Sequence, residues 1–309
     1  MRRLFALLVL SLCSVVLAAD PPKPTLSPKE LAEGWVMLFD GESTFGWQSK
    51  CTGNESLRNG VWTIDGTASL TLSALLAPGV IELTESGASR EVKHAGGSFR
   101  IQAGDSTRSF TRIVFKPADT KPIFTGKDLS GWKVFKDEKR EKSKFEVTKD
   151  GELHLTNGPG DLQTEAKYAD FVLQLEFKTN GDALNSGVFF RCIPDQYQNG
   201  YECQIHNGFK DGDRTKPADG GTGAIYRRQP ARKIVANDKE WTHLTLIAHG
   251  PTFATWVNGY PVCVWTDERP KDENPRKGLR LDAGHLSIQG HDLTTDLLFR
   301  NIRLAEIKK

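Results

Sequence analysis

An imbalance of charge is the plainest thing this chain lacks. Its 41 Lys and Arg face 39 Asp and Glu without a block of like charge. It therefore carries no basic footprint of the kind that attracts nucleic acid or an anionic membrane. Zinc-type spacing is missing too, because no two of its five cysteines form a CxxC or Cys/His cluster. Beyond the N-terminus no apolar stretch is long enough for a membrane-spanning helix. No hydrophobic period of 3.6 residues persists for long, which argues against a helical fold.

The N-terminus is a strong local signal. Arg2 and Arg3 precede an apolar run from Leu4 to Ala18, with small residues at its end and Asp20 beyond. This pattern predicts a signal peptide over residues 1–19 and a secreted or periplasmic protein. The run is short for a membrane span, and Leu12 before Cys13 is a poor match to a lipoprotein cleavage site. Removing Arg2 and Arg3 leaves 41 − 2 = 39 basic residues against 39 acidic ones, a neutral mature chain. Cys51, Cys192, Cys203 and Cys263 would remain in a compartment that permits disulfides. A Cys192–Cys203 bridge fits a hairpin, and other pairings stay open.

Proline-rich sequence marks residues 20–33 as a linker. After it, VMLFDGESTFGW (Val36–Trp47) has the same layout as IFTGKDLSGW (Ile123–Trp132): an apolar strand, a Gly turn with a charged neighbour, then Gly-Trp. The repetition predicts two related units. The smaller is a β-rich unit at 34–118, a partial repeat of the larger domain at 122–309. Within the first, Leu70–Glu85 reads as either a short helix or a buried strand. The second shows short alternating runs at regular spacing, with Asn258–Gly259 as the strongest hairpin turn. So many strands and so little helix predict an all-β fold of two packed antiparallel sheets, a sandwich or jelly roll.

The most informative stretch is NSGVFFRCIPDQYQNGYECQIH (Asn185–His206), two alternating runs around turn residues. Period-two geometry groups Glu202, Gln204 and His206 on one face and Cys203 and Ile205 on the other. Pairing Cys192 with Cys203 would set Arg191 beside Gln204 and Phe189 beside His206. Further on, HLSIQGH (His285–His291) repeats a Gln-x-His spacing at Gln289 and His291. Tyr226 and Trp256 are candidates for a sugar-stacking platform, against the plainer expectation that a sandwich tryptophan is core. The polar loop Asn207–Gly223 is long enough to act as a lid.

Taken together, GKDLSGW (Gly126–Trp132), NSGVFFR (Asn185–Arg191), GYECQIH (Gly200–His206), TGAIY (Thr222–Tyr226), EWTHLTLIAHG (Glu240–Gly250), WVNG (Trp256–Gly259) and LFRNIRL (Leu298–Leu304) resemble the 3-keto-disaccharide hydrolase family, in order over Ile123–Ile307. Its members are also described as 3-keto-glucoside 1,2-lyases and 3-keto-2-hydroxy-glucal hydratases. The resemblance implies a concanavalin-like jelly roll, export in a bacterium and action on oligosaccharides or glycosides oxidised at C3 by a separate glycoside 3-oxidoreductase.

It also implies a division of labour. Glu202 is the candidate base, and His206 or His291 the acid. Arg191, Asn185, Gln204, Gln289, Tyr226 and Trp256 are candidates for holding the enolate and sugar, alone or with a divalent ion on Glu202, His206 and His291. The cysteines in the hairpin depart from the family pattern, and the smaller unit lacks counterparts of NSGVFFR and GYECQIH, which suggests a noncatalytic role. The competing expectations are a carbohydrate-binding module of the same architecture and an envelope-associated structural domain without a pocket.

Overall fold

A computed structural model describes residues 25–104 and 106–308, so the predicted signal peptide lies outside the described residues. The first ordered element is a short helix, Pro28–Glu33, inside the stretch read as a linker. Six residues are too few to show a helical period, but the ends are well specified. Ser27 and Glu30 form a reciprocal capping box, Pro28 opens the first turn, and Gly34 closes the helix in the left-handed region.

Everything that follows is strand and turn, apart from one 3-10 turn at Ala218–Gly220. Two sheets make the larger sandwich. One runs Lys144–Val147, Leu153–Thr156, Asp296–Glu306, Phe171–Thr179, Thr242–His249, Thr252–Val257 and Tyr260–Thr266, with Lys121–Pro122 added beside Asp296–Glu306. The other has five strands in the order Trp132–Val134, Gly160–Thr164, His285–Gly290, Ser186–Cys192 and Tyr201–Ile205. Between them lies an apolar core that includes Phe171, Phe177, Phe190, Phe253 and Phe299. The fold is an all-β, concanavalin-like jelly-roll sandwich.

Residues 36–117 form two further sheets, of six and three strands, around a second core. The stretch left open as helix or strand is a pair of strands, Ala68–Leu76 and Gly79–Glu85. Its inward side is set by strict alternation of buried and half-buried residues along Ala68–Leu76. This second core also takes in Val172, Ile247, Ala254 and Trp256, so the smaller unit packs on the outer face of the larger sandwich. At the rim, buried Asp40 pairs with Arg232, whose guanidinium also donates to Ser43 Oγ and stacks on Phe45 and Tyr260.

The two Gly-Trp frames are superimposable in their hydrogen bonding. Trp47 Nε1 donates to Leu38 O at 2.7 Å, and Trp132 Nε1 donates to Ile123 O at 2.7 Å, each reaching nine residues back. The turn glycines match as well, Gly41 and Gly126 at φ 72° and 73°, Gly46 and Gly131 both at φ 81°. A left-handed backbone at these points is what only glycine supplies without strain.

The central hairpin departs from the predicted register. Cys203 faces Val188, Glu202 faces Phe189 and Gln204 faces Gly187, while Cys192 lies beside His285 on the other neighbouring strand. All four described cysteines are free thiols, and the expected Cys192–Cys203 bridge is not formed. The hairpin ladder runs unbroken with Cys203 four residues short of Cys192, and against His285–Gly290 a bulge opens between Phe189 and Cys192, where Arg191 takes φ 50°.

That bulge sends the Arg191 side chain away from the polar face. Fully buried, it donates to Ala169 O, Arg280 O and Asp170 Oδ1 at 2.8–2.9 Å and lies over the Phe253 ring. Arg191→Met leaves the buried Asp170 carboxylate without its cation. Denaturant unfolding is expected to show a loss of about 3–5 kcal/mol; a loss under 1 kcal/mol would contradict this role.

Candidate functional site

The five-stranded sheet is two-faced. Val188, Phe190, Cys203, Ile205 and Ile288 point into the core, so alternation turns Gly187, Phe189, Glu202, Gln204, Ser287 and Gln289 to the other side. That side is covered by chain returning after the sheet's edge strand. Residues 222–226 run back along Tyr201–Ile205, with Thr222 N, Gly223 N and Tyr226 N donating to His206 O, Gln204 O and Glu202 O. The polar loop thus supplies a wall rather than a detached cover.

Between sheet and wall lies a cavity of about 450 Å³. Glu202, Gln204 and Gln289 form its floor, Asn185 and His291 stand at its margin, and Asp219, Tyr226 and Arg227 come from the returning chain, facing Arg276. Six of the nine residues singled out from sequence therefore meet: Glu202, Gln204, Gln289, His291, Asn185 and Tyr226.

The other three do not line it. Arg191 is turned inward by the bulge. His206 lies past the strand end, where its Nδ1 accepts from Gly208 N and its own N–H donates to Thr222 Oγ1. Trp256 is buried against the smaller unit with its indole N–H on Met37 O at 2.7 Å. The divalent-ion set of Glu202, His206 and His291 is accordingly not assembled. Among the described residues no group of three or more His, Cys, Asp or Glu is placed to hold a metal ion.

Glu202 lies on the cavity floor. It is nearly buried, and its carboxyl accepts no hydrogen bond among the described residues to offset the lost water. Burial pushes it up to about 8, with Asp219 reinforcing the shift and Arg276 and Arg227 opposing it. Its place depends on Gly187 across the ladder, since a Cβ there would lie 2.6 Å from Glu202 Oε1.

The amides around it are held in place. Gln204 Nε2 and Asn185 Nδ2 both donate to Asp219 Oδ2, at 2.9 and 2.8 Å, and Gln289 Nε2 donates to Gln198 Oε1 at 3.1 Å. The carbonyl oxygens of Asn185, Gln204 and Gln289 are buried without a partner among the described residues. His291 pairs through Nδ1 with Asp292 at 2.8 Å, which leaves Nε2 as the ring nitrogen available to a ligand.

Sequence reading missed Asp219, Arg276, Arg227 and Gln198. Asp219 carries one local signal, a left-handed backbone at φ 47° that Asp tolerates better than most residues. The arginines sit on loops whose approach to the sheet no pattern announces. Also missed was Gly160–Thr164, a strand with little β-branched character, which brings Asp161 beneath the site. There Asp161 accepts from Ser287 Oγ and Gln163 Nε2, and burial raises its carboxyl above the ordinary range.

Burying an ionisable carboxyl costs stability in a defined pH window. Glu202 keeps its proton to about 8 when folded, whereas the unfolded chain gives it up near 4.5. Its contribution is present below 4.5 and is lost progressively as pH rises to about 8. Glu202→Gln, which cannot ionise, should therefore be more stable than wild type at pH 8.5 by on the order of 3 kcal/mol. At pH 4.5 the two should melt together; equal stability at both pH values would contradict the burial argument.

Residues 119–305 match the family profile described as the 3-keto-alpha-glucoside-1,2-lyase-like domain. No curated protein matches the chain. Among solved structures, a candidate glycosyl hydrolase from Parabacteroides distasonis ATCC 8503 aligns at TM-score 0.49 and 20% identity, over 61% of this chain and 94% of its own. The carbohydrate-binding module CBM66 from Bacillus subtilis aligns at 0.40 and 16%, over 56% and 93%. A Bacillus licheniformis β-glucanase aligns at 0.39 and 14%, over 60% and 96%. Because the family profile spans well over half of the sequence, this chain belongs to the 3-keto-alpha-glucoside-1,2-lyase-like domain family.

Proposed function

We propose that this protein is an exported enzyme, secreted or periplasmic, that cleaves 3-keto-glycosides by β-elimination and hydration. The observation that carries the reading is the buried Glu202 carboxyl, pushed up to about 8, at the floor of a cavity rimmed by amides and a His–Asp pair. A ketone at C3 acidifies the hydrogen at C2. The ionised Glu202 takes that proton, and the electron pair forms C1=C2 as the C1–O bond breaks. The departing oxygen takes a proton from His291 Nε2, with Asp292 fixing the imidazole through Nδ1.

Arg276 and Arg227 supply positive charge beside the carboxyl, where the enolate oxygen would need it. Gln204, Gln289 and Asn185 hold hydroxyls. Water then adds across the double bond, its hydroxyl going to C1 and its proton to His291 Nε2 while Glu202 returns its proton to C2, so both groups are regenerated and the net result is hydrolysis. The substrate ketone is the product of a separate glycoside 3-oxidoreductase. Sugar binding without turnover would instead favour a carbohydrate-binding module.

Three measurements test the assignment. In wild type, kcat/KM on a 3-keto-glucoside is expected to rise about tenfold per pH unit below about 8 and to level above it, because the ionised carboxylate does the work. Glu202→Gln should lose at least about 10²-fold in kcat while keeping its circular dichroism; full turnover would exclude Glu202 as base. Gly187→Ala, whose Cβ displaces the carboxyl, should lower kcat by on the order of 10²-fold with the fold retained. Unchanged kcat there would show that the position of Glu202 is not set by Gly187.

A further inference from the structure

The Glu202 cavity is one of three adjoining hollows. On one side lies a hollow of about 710 Å³, which shares Gln198, Arg276, Gln289 and His291 with it. On the other lies one of about 290 Å³, which shares Asp219, Tyr226 and Arg227 but neither Gln289 nor His291. The two neighbours are therefore not equivalent with respect to the reaction, and the difference decides which one receives the leaving group.

In the elimination the proton donor must stand at the oxygen that departs from C1, where sugar ring and leaving group meet. His291 lines the seam between the central and the larger hollow. Glu202 belongs to the central hollow alone and approaches C2, one bond away within the ring. A substrate laid across the site with C2 over Glu202 and its glycosidic oxygen at His291 has to place its leaving group beyond the seam. We infer that the hollow around Tyr197 and Arg140 is the leaving-group subsite and that it selects a polyhydroxylated leaving group, a second sugar unit. The inference rests on the elimination reading and extends it to residues outside the catalytic cavity.

The chemistry of that hollow fits a sugar. Its walls combine one aromatic pair with charged and amide side chains. Tyr197 and Phe135 have ring centroids 5.9 Å apart, the Arg140 guanidinium lies 4.4 Å from the Tyr197 centroid, and Asp137 and Asn199 stand beside them. Such a mixture offers an apolar face to ring C–H groups and donors and acceptors to hydroxyls. Asn199 Oδ1 is buried with no partner among the described residues.

The loop carrying Tyr197 is held in an unfavourable backbone, with Asp195 and Gln198 both at positive φ, 57° and 45°. Strain of this kind is kept where it positions functional groups. Gln198 joins the two hollows, since its Nε2 donates to the Tyr197 hydroxyl at 2.9 Å and its Oε1 accepts from Gln289.

The test compares 3-keto-trehalose with 3-keto methyl α-glucoside, which present the same ring and differ in whether glucose or methanol departs. For each variant the readout is the ratio of kcat/KM between the two compounds, relative to wild type, which cancels the difference in leaving-group reactivity. Arg140→Ala, at an exposed position, and Tyr197→Phe, which keeps the ring, are each expected to lower that ratio about 10-fold. An unchanged ratio in both would overturn the subsite.

Amide chemical shifts separate this failure from failure of the elimination reading. 3-keto-trehalose, but not the methyl glucoside, should perturb residues 135–140 and 195–199. Perturbation at 227–230 instead would assign the leaving group to the smaller hollow and overturn the inference. Should wild type cleave neither compound, the elimination reading fails, and the shifts in wild-type protein decide the subsite by themselves.

Discussion

The site depends on one unfavourable placement: a carboxyl carried nearly out of water on a sheet face, with no hydrogen bond from the described residues to compensate. Glu202 can sit there because Gly187, diagonally across the ladder, has no side chain and because Phe189 lies opposite it. Two arginines close enough to lower its pKa do not win, since burial is the larger effect. The same desolvation that costs stability gives the group a proton affinity suited to a base working near neutral pH.

The sandwich is arranged to support that placement. The core between the sheets fixes the inner face of Ser186–Cys192 and Tyr201–Ile205, so the outer face can be polar without loss of packing. The chain after His206 then lies along the free edge of Tyr201–Ile205 and satisfies its backbone groups. In doing so it delivers Asp219 to the amides of Asn185 and Gln204, which turns a solvated strand face into a walled cavity. The smaller unit contributes differently. It buries the far side of the larger sheet through Val172, Ile247, Ala254 and Trp256, and its Asp40 anchors Arg232.

Family membership and the site geometry are independent of one another. The family profile covers residues 119–305 and says nothing about which side chains converge. Convergence comes from the sheet order, in which His285–Gly290 is paired with Ser186–Cys192 and so sets Gln289 and His291 beside Glu202. Opposed requirements meet within this small volume. In the proposed reaction a base must be ionised, an acid must hold its proton, and amide groups must offer donors and acceptors without quenching either. Asp292 on His291 and Asp219 on the amides meet these requirements by pairing with the supporting groups and leaving the Glu202 carboxyl itself unpaired.

Much of the fold was legible because strand alternation and turn chemistry are local. The strands at Thr242–His249, Tyr260–Thr266 and Asp296–Glu306, the turn at Asn258–Gly259 and the two Gly-Trp frames all declare themselves within a dozen residues. Face assignment followed too, since a period of two decides which side Glu202 and Gln204 take. What the period cannot decide is register, because sliding one strand by an even number of residues leaves its faces unchanged. The hairpin set that register and so separated Cys192 from Cys203, while the bulge against His285–Gly290 turned Arg191 inward. Sequence alone determined a two-faced sheet with a carboxylate and amides on its polar side. Tertiary structure brought His291 but not His206 to the cavity, gave Trp256 to the core and set Asp219 and Arg276 at the cavity, because these depend on where distant loops and sheets come to rest.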